Sequence, residues 1–180
     1  MKNNIRFELS FKNISQLDKK LNFCKLNNIK NINIPCKGLI KKELFNSTIN
    51  YISKNFHEFN VTYHYSLYHQ YSKNRKNSYK DFLDFVKNSQ TNRNYEILLV
   101  SGSNKKKKFD SIDVLDYLKK EKNLRVKFGI AYNPYLKKYY NISSERKRIE
   151  KKIATGLINS IWFQYGTDIK VLQNEVTSVS

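Results

Sequence analysis

The chain has 180 residues, enough for one domain with a sizeable core but short for two. Its formal net charge is +19, from 34 Lys and Arg against 15 Asp and Glu. The Lys residues are dispersed and accompanied by abundant Asn, while Arg, favoured for bidentate phosphate and base contacts, is scarce. The charge therefore permits an anionic ligand but does not form the clustered arm of a nucleic-acid binder. No apolar run approaches the roughly 18 residues that span a bilayer. Met1-Lys2-Asn3-Asn4 leads straight into a strand-like segment without a leader pattern, so a cytoplasmic protein is expected. Cys24 and Cys36 stand outside any metal-type spacing and read as reduced thiols.

Strand and helix patterns alternate along the chain. Ile5–Phe11 alternates strictly, with Ile5, Phe7, Leu9 and Phe11 on one face and Arg6, Glu8 and Ser10 on the other. A helical pattern at Ile14–Leu26 leads to a strand at Ile29–Pro35. The next helix, Lys41–His57, carries Leu44, Phe45, Ile49, Tyr51 and Ile52 at helical spacing. In the strand Phe59–Ser66, Val61, Tyr63 and Tyr65 oppose Thr62, His64 and Ser66. Helices at Tyr79–Asn88, Ile112–Glu121 (capped by Asp110 or Ser111) and Ser144–Thr155 alternate with strands at Glu96–Ser101, Arg125–Ala131 and Leu157–Gln164. Residues 167–180 read as a polar tail. Gly38, Gly102 and Gly166 lie just beyond strands, where tight turns are needed.

Strands recurring about every 30 residues with helices between them predict a parallel sheet in a single α/β domain over residues 1–180. The expected architecture is a TIM-type (β/α) barrel left incomplete at six units, since a full barrel takes about 250 residues. The alternative is an open doubly wound parallel sheet.

Several residues are placed for chemistry. Glu8, expected to point into the barrel and be partly desolvated, suits a general acid, although pairing with Arg6 or a Lys is the simpler reading of spacing alone. His64 near a strand end reads as a ligand contact or a satisfied structural histidine. His57 closes a helix, where a cationic ring suits the dipole, and His69 lies in a loop. With no acidic or Cys cluster beside these histidines, no metal site is expected. The turn Ser101-Gly102-Ser103-Asn104 lacks the repeated glycines of a phosphate-cradling motif but lets backbone N–H groups approach a phosphate or a flat ring; Lys105 to Lys108 could pair with a pyrophosphate, although most such runs are merely solvated. Gln164, an amide among Trp162, Phe163 and Tyr165, suits recognition of a heterocycle, while core packing accounts for Trp162 and Phe163 and less well for Gln164.

Glu96-Ile97-Leu98-Leu99-Val100-Ser101-Gly102-Ser103, Phe128-Gly129-Ile130-Ala131-Tyr132-Asn133-Pro134, Lys152-Ile153-Ala154-Thr155-Gly156 and Phe163-Gln164 follow one another in an order and spacing that resembles methylenetetrahydrofolate reductase. In the first half, Arg6-Phe7-Glu8 resembles that family's opening Ser-Phe-Glu, and His64-Tyr65-Ser66 its His-Leu-Thr. The resemblance implies a cytoplasmic flavoprotein of one-carbon metabolism, on the route to methionine. It would reduce 5,10-methylenetetrahydrofolate to 5-methyltetrahydrofolate with NAD(P)H through FAD. Glu8 matches the catalytic acid, and Gln164 and Ser103 the folate-contacting positions. His64, Ser66, Gly102, Ser103, Ser111, Glu145 and Lys152 match or lie near flavin-binding positions.

Departures accompany the match. The family's Arg-Gly-Asp stands here as Ser101-Gly102-Ser103, and Ser10-Phe11-Lys12 replaces two prolines expected soon after Glu8. The last two barrel units have no counterpart. Two further readings follow: a catalytically degenerate barrel that binds folate or flavin, or whose barrel a second copy or partner chain completes, and a basic nucleic-acid-binding protein, against which the dispersed charge argues.

Overall fold

The computed structural model describes residues 5–36, 42–72, 74–91, 94–101, 110–121, 124, 126–135 and 142–179. Within them β1 (Arg6–Glu8), α1 (Ile14–Leu26), β2 (Asn31–Ile34), α2 (Lys42–Asn55), β3 (Asn60–Ser66), α3 (Arg75–Ser89), β4 (Tyr95–Val100), α4 (Ser111–Leu118), β5 (Phe128–Tyr132), α5 (Ile142–Ile153), β6 (Ile158–Phe163) and α6 (Ile169–Val179) follow in turn. The strands form one parallel sheet in the order β1-β2-β3-β4-β5-β6.

That order explains the architecture. Right-handed crossovers that always step in the same direction place every helix on one face of the sheet. A doubly wound sheet instead reverses direction at a switch point. The sheet is therefore wound as a barrel is wound, and it curls into a half-barrel in which β1 pairs with β2 and β6 with β5. Its two free edges are what it shares with an open sheet.

The convex face is apolar because alternate strand residues meet the inner stripes of the helices. Ile32, Ile34, Val61, Tyr63, Ile97, Leu99, Phe128 and Ile130 are buried there. In α1, Asn13 accepts a hydrogen bond from the Gln16 amide at 2.9 Å, and Leu17, Leu21 and Cys24 fall on one buried stripe. Phe45 of α2 stacks on Phe85 of α3 at 5.3 Å, and both rings meet Tyr63 edge-on at 6.4 Å. Phe85→Ala removes the shared member of this cluster and is expected to cost about 3–5 kcal/mol in denaturant unfolding, as for other buried aromatics. The capping box of Asp110 and Asp113 fixes the start of α4.

Several boundaries differ from the sequence pattern: β1 ends at Glu8 rather than Phe11, and β5 begins at Phe128 rather than Arg125. The helix α3 begins at Arg75 because Asn74 caps it, accepting from the Asn77 amide at 2.8 Å. The helix α2 ends at Asn55, so His57 lies in the following turn rather than closing the helix. Most of the segment read as a polar tail is helical. Asp168 accepts from the Val171 amide at 3.1 Å, and Leu172, Glu175 and Val179 turn inward.

That helix was hidden because its buried centre is a carboxylate. Glu175 is 5 % exposed and accepts two hydrogen bonds from Arg146 of α5, and one from the Tyr132 hydroxyl of β5. These bonds, from Arg146 foremost, hold the Glu175 carboxyl below the usual carboxylate range, while burial pushes Tyr132 up to about 12. A depressed carboxylate contributes stability that is full above its ordinary value of 4.5 and is lost as the pH falls through its lowered one. Glu175→Gln is accordingly expected to lower the thermal midpoint by a few degrees at neutral pH and to expose α6 to limited proteolysis. The gap from wild type should close in acid.

Candidate functional site

The concave face is built from the other parity of the same strands, and it is polar. The β1 residue Arg6 donates from Nη1 to the Thr62 hydroxyl of β3 at 2.8 Å, and Thr62 donates in turn to Glu96 of β4 at 3.5 Å. From the far side the Ser160 hydroxyl of β6 donates to the other Glu96 oxygen, and the Trp162 indole N–H donates to Ser160 at 2.8 Å. The chain closes on itself, since the Arg6 guanidinium lies 5.5 Å from the centre of the Trp162 ring. Side chains of the first and sixth strands thus meet across the hollow. Burial lowers the Arg6 pKa and the Glu96 carboxylate opposes that shift.

Gly129 of β5 makes room for this arrangement. A Cβ there would lie 2.7 Å from Trp162 Nε1 and 2.8 Å from Ser160 Oγ, closer than side chains pack. The indole also meets the His64 ring edge-on at 6.3 Å between centres.

These contacts fix which residues face the hollow and hence the mouth at the strands' C-terminal ends. Alternation from Arg6 puts Glu8, the last residue of β1, on the concave side. Its side chain is exposed, so the partial desolvation expected for it does not occur; β1 is an edge strand and pairs on one side only. His64 is half-buried on β3, and Ser66, the last residue of that strand, is buried and accepts from the His69 amide at 3.3 Å. Gln164 is exposed directly beyond β6, its amide continuing the ladder to the Tyr132 carbonyl at 2.8 Å. Glu8 and Ser66 therefore end β1 and β3 and Gln164 follows β6, with His64 on the same inner parity of β3.

The remaining sequence candidates are arranged differently. Ser111 is fully buried at the start of α4, its hydroxyl 3.1 Å from that of Ser101. Glu145 in the first turn of α5 accepts from Arg148 at 3.3 Å, and Arg148 also donates to Asp110 at 2.7 Å, so the two helix starts are tied together beside the mouth. Lys152 is 4 % exposed in the last turn of α5, where the chain turns back to enter β6 from its N-terminal end. It lies away from the mouth and is not brought to the other candidates. Gly102, Ser103 and Lys105 to Lys108 lie outside the described residues, as does Gly38. Gly166 is needed for close approach rather than for a turn conformation: a Cβ there would sit 2.2 Å from the Tyr135 ring. Among the described residues no group of His, Cys, Asp and Glu could hold a metal ion.

Chemically, the mouth offers one exposed carboxyl, an exposed amide, a half-buried imidazole and an indole whose edge is fixed. Such a set can cradle a flat heterocycle with a polar edge. The floor of Arg6, Thr62, Glu96, Ser160 and Trp162 was only partly legible, although the alternation Asn31-Ile32-Asn33-Ile34 in β2 was a signal of a polar inner face. In comparisons with known proteins, no protein-family model matches the chain and no curated protein matches it.

Proposed function

We propose that the chain is a flavin-dependent oxidoreductase of the methylenetetrahydrofolate reductase type, its six units forming part of a TIM-type barrel. It would reduce 5,10-methylenetetrahydrofolate to 5-methyltetrahydrofolate with NAD(P)H as electron donor. The observation that carries this reading is the meeting of Arg6, His64 and Trp162 on one concave face. It supports a common mouth for Glu8 of β1, His64 and Ser66 of β3 and Gln164 after β6, the residues that the sequence resemblance singles out. Ligand sites of parallel barrels lie at that end of the strands.

The residues present fit a flat heterocycle with a polar edge, since the His64 and Trp162 rings lie beside the hydrogen-bonding side chains of Arg6 and Ser160. FAD, when bound, supplies the hydride chemistry. His64 and Ser66 would lie against its ring system, and Gln164 would hydrogen-bond the folate. Glu8, exposed at the mouth, would hold the proton given to the substrate. The phosphates would fall to residues after β4, where Lys105 to Lys108 stand in the sequence.

A second reading, a binding module without turnover, is favoured by one contact. Ser101 stands where the family has a charged Arg, and its hydroxyl lies against Ser111. Purified protein loaded with FAD separates the two. Formation of 5-methyltetrahydrofolate coupled to NADH or NADPH oxidation is the expected result. Flavin and folate binding without product would favour the module.

A further inference from the structure

One polar group on the concave face lacks a donor. Asn33 of β2 is 9 % exposed, and its carboxamide oxygen has no hydrogen-bond partner among the described residues. Its parity is that of the polar face, because Ile32 and Ile34 on either side are buried in the convex core. Its register neighbours are Glu8 on β1 and Thr62 on β3. Other amides and hydroxyls of the face are paired: Asn60 donates to Asn31 at 2.9 Å, and Thr62 bonds Arg6 and Glu96. A buried acceptor left without a donor costs about 1–3 kcal/mol, and a Leu of similar size would avoid that cost.

We propose that Asn33 reads the ring edge of the bound heterocycle, its carboxamide oxygen accepting a hydrogen bond from a ring N–H that lies between two carbonyls. This deepens the flavin reading and rests on it. An acceptor alone calls for a donor of any kind; a carboxamide can accept from such an N–H and donate to the adjoining carbonyl, the paired contact that amide and imide edges form. The place beside Glu8 puts that contact next to the candidate proton donor. Asn33 is thus a specificity-determining residue, and the protein carries its unpaired oxygen as a stability cost when no ligand is bound.

The test is titration of the full chain with riboflavin and with 3-methylriboflavin, which lacks the N–H, followed by flavin fluorescence and by emission of Trp162, the single tryptophan. Wild type is expected to bind riboflavin about tenfold tighter, the effect of one hydrogen bond. Asn33→Leu should bind both flavins equally, at the weaker value, while its ligand-free thermal midpoint stays level or rises. Equal binding of both flavins by wild type would overturn the role of Asn33 and leave the flavin reading standing. Binding of neither flavin would overturn both. A marked fall in the ligand-free midpoint of Asn33→Leu would mean that a trapped water or a protein group satisfies the oxygen, and would overturn the proposal too.

Discussion

Glu8→Gln is expected to lower turnover of methylenetetrahydrofolate by about 10²- to 10⁴-fold, the usual worth of a positioned general acid. The bound-flavin spectrum should not change. Glutamine keeps the shape and hydrogen-bonding capacity of the side chain and removes only the transferable proton. The position is defined by its neighbour: Arg6, two residues earlier, reaches Thr62 and Trp162 on the concave face, so alternation brings Glu8 to the same side at the end of β1. Turnover of folate in the presence of NADH or NADPH, measured beside the visible spectrum, distinguishes loss of chemistry from loss of cofactor. Unchanged turnover would remove Glu8 from the mechanism. A protein acting through charge alone would be indifferent to Glu8→Gln and sensitive to neutralising Lys105 to Lys108.

Gly129→Val is expected to disrupt the concave face without touching the convex core. Its Cβ would fall 2.7 Å from the Trp162 indole nitrogen and 2.8 Å from the Ser160 hydroxyl, so both side chains must move. Moving them breaks the bonds from Trp162 to Ser160 and from Ser160 to Glu96, and withdraws the ring from Arg6. Overpacking of this kind costs about 1–3 kcal/mol. Because Trp162 is the single tryptophan, its emission reports the change directly. A red shift, together with loss of flavin binding, is the predicted outcome. An unaltered spectrum and unaltered binding would mean that the indole is not held over β5.

The order of elements was legible because each strand has one apolar parity and each helix one apolar stripe; α1 was bounded at Ile14 and Leu26 in both views. What the pattern could not reveal depended on tertiary pairing. The helix α6 centres on Glu175, which reads as a solvent residue until Arg146 and Tyr132 are seen around it. The start of α3 turned on Asn74, one more Asn in a chain rich in them. At the site, alternation identified the inward parity of Arg6, Glu8, Thr62 and His64. It could not reveal that Glu96, at the start of an otherwise apolar strand, joins β3 to β6, nor that Gly129 is empty space for an indole. Lys152 was singled out only by the family resemblance, and a resemblance along the chain does not say at which end of the sheet a helix terminates.

The most direct measurement is a visible absorption spectrum of the purified protein after incubation with FAD and desalting. A retained flavin spectrum, with quenched Trp162 emission, is the predicted result and places the ligand on the concave face. A colourless protein whose Trp162 emission does not respond to FAD would contradict the flavin reading at its root.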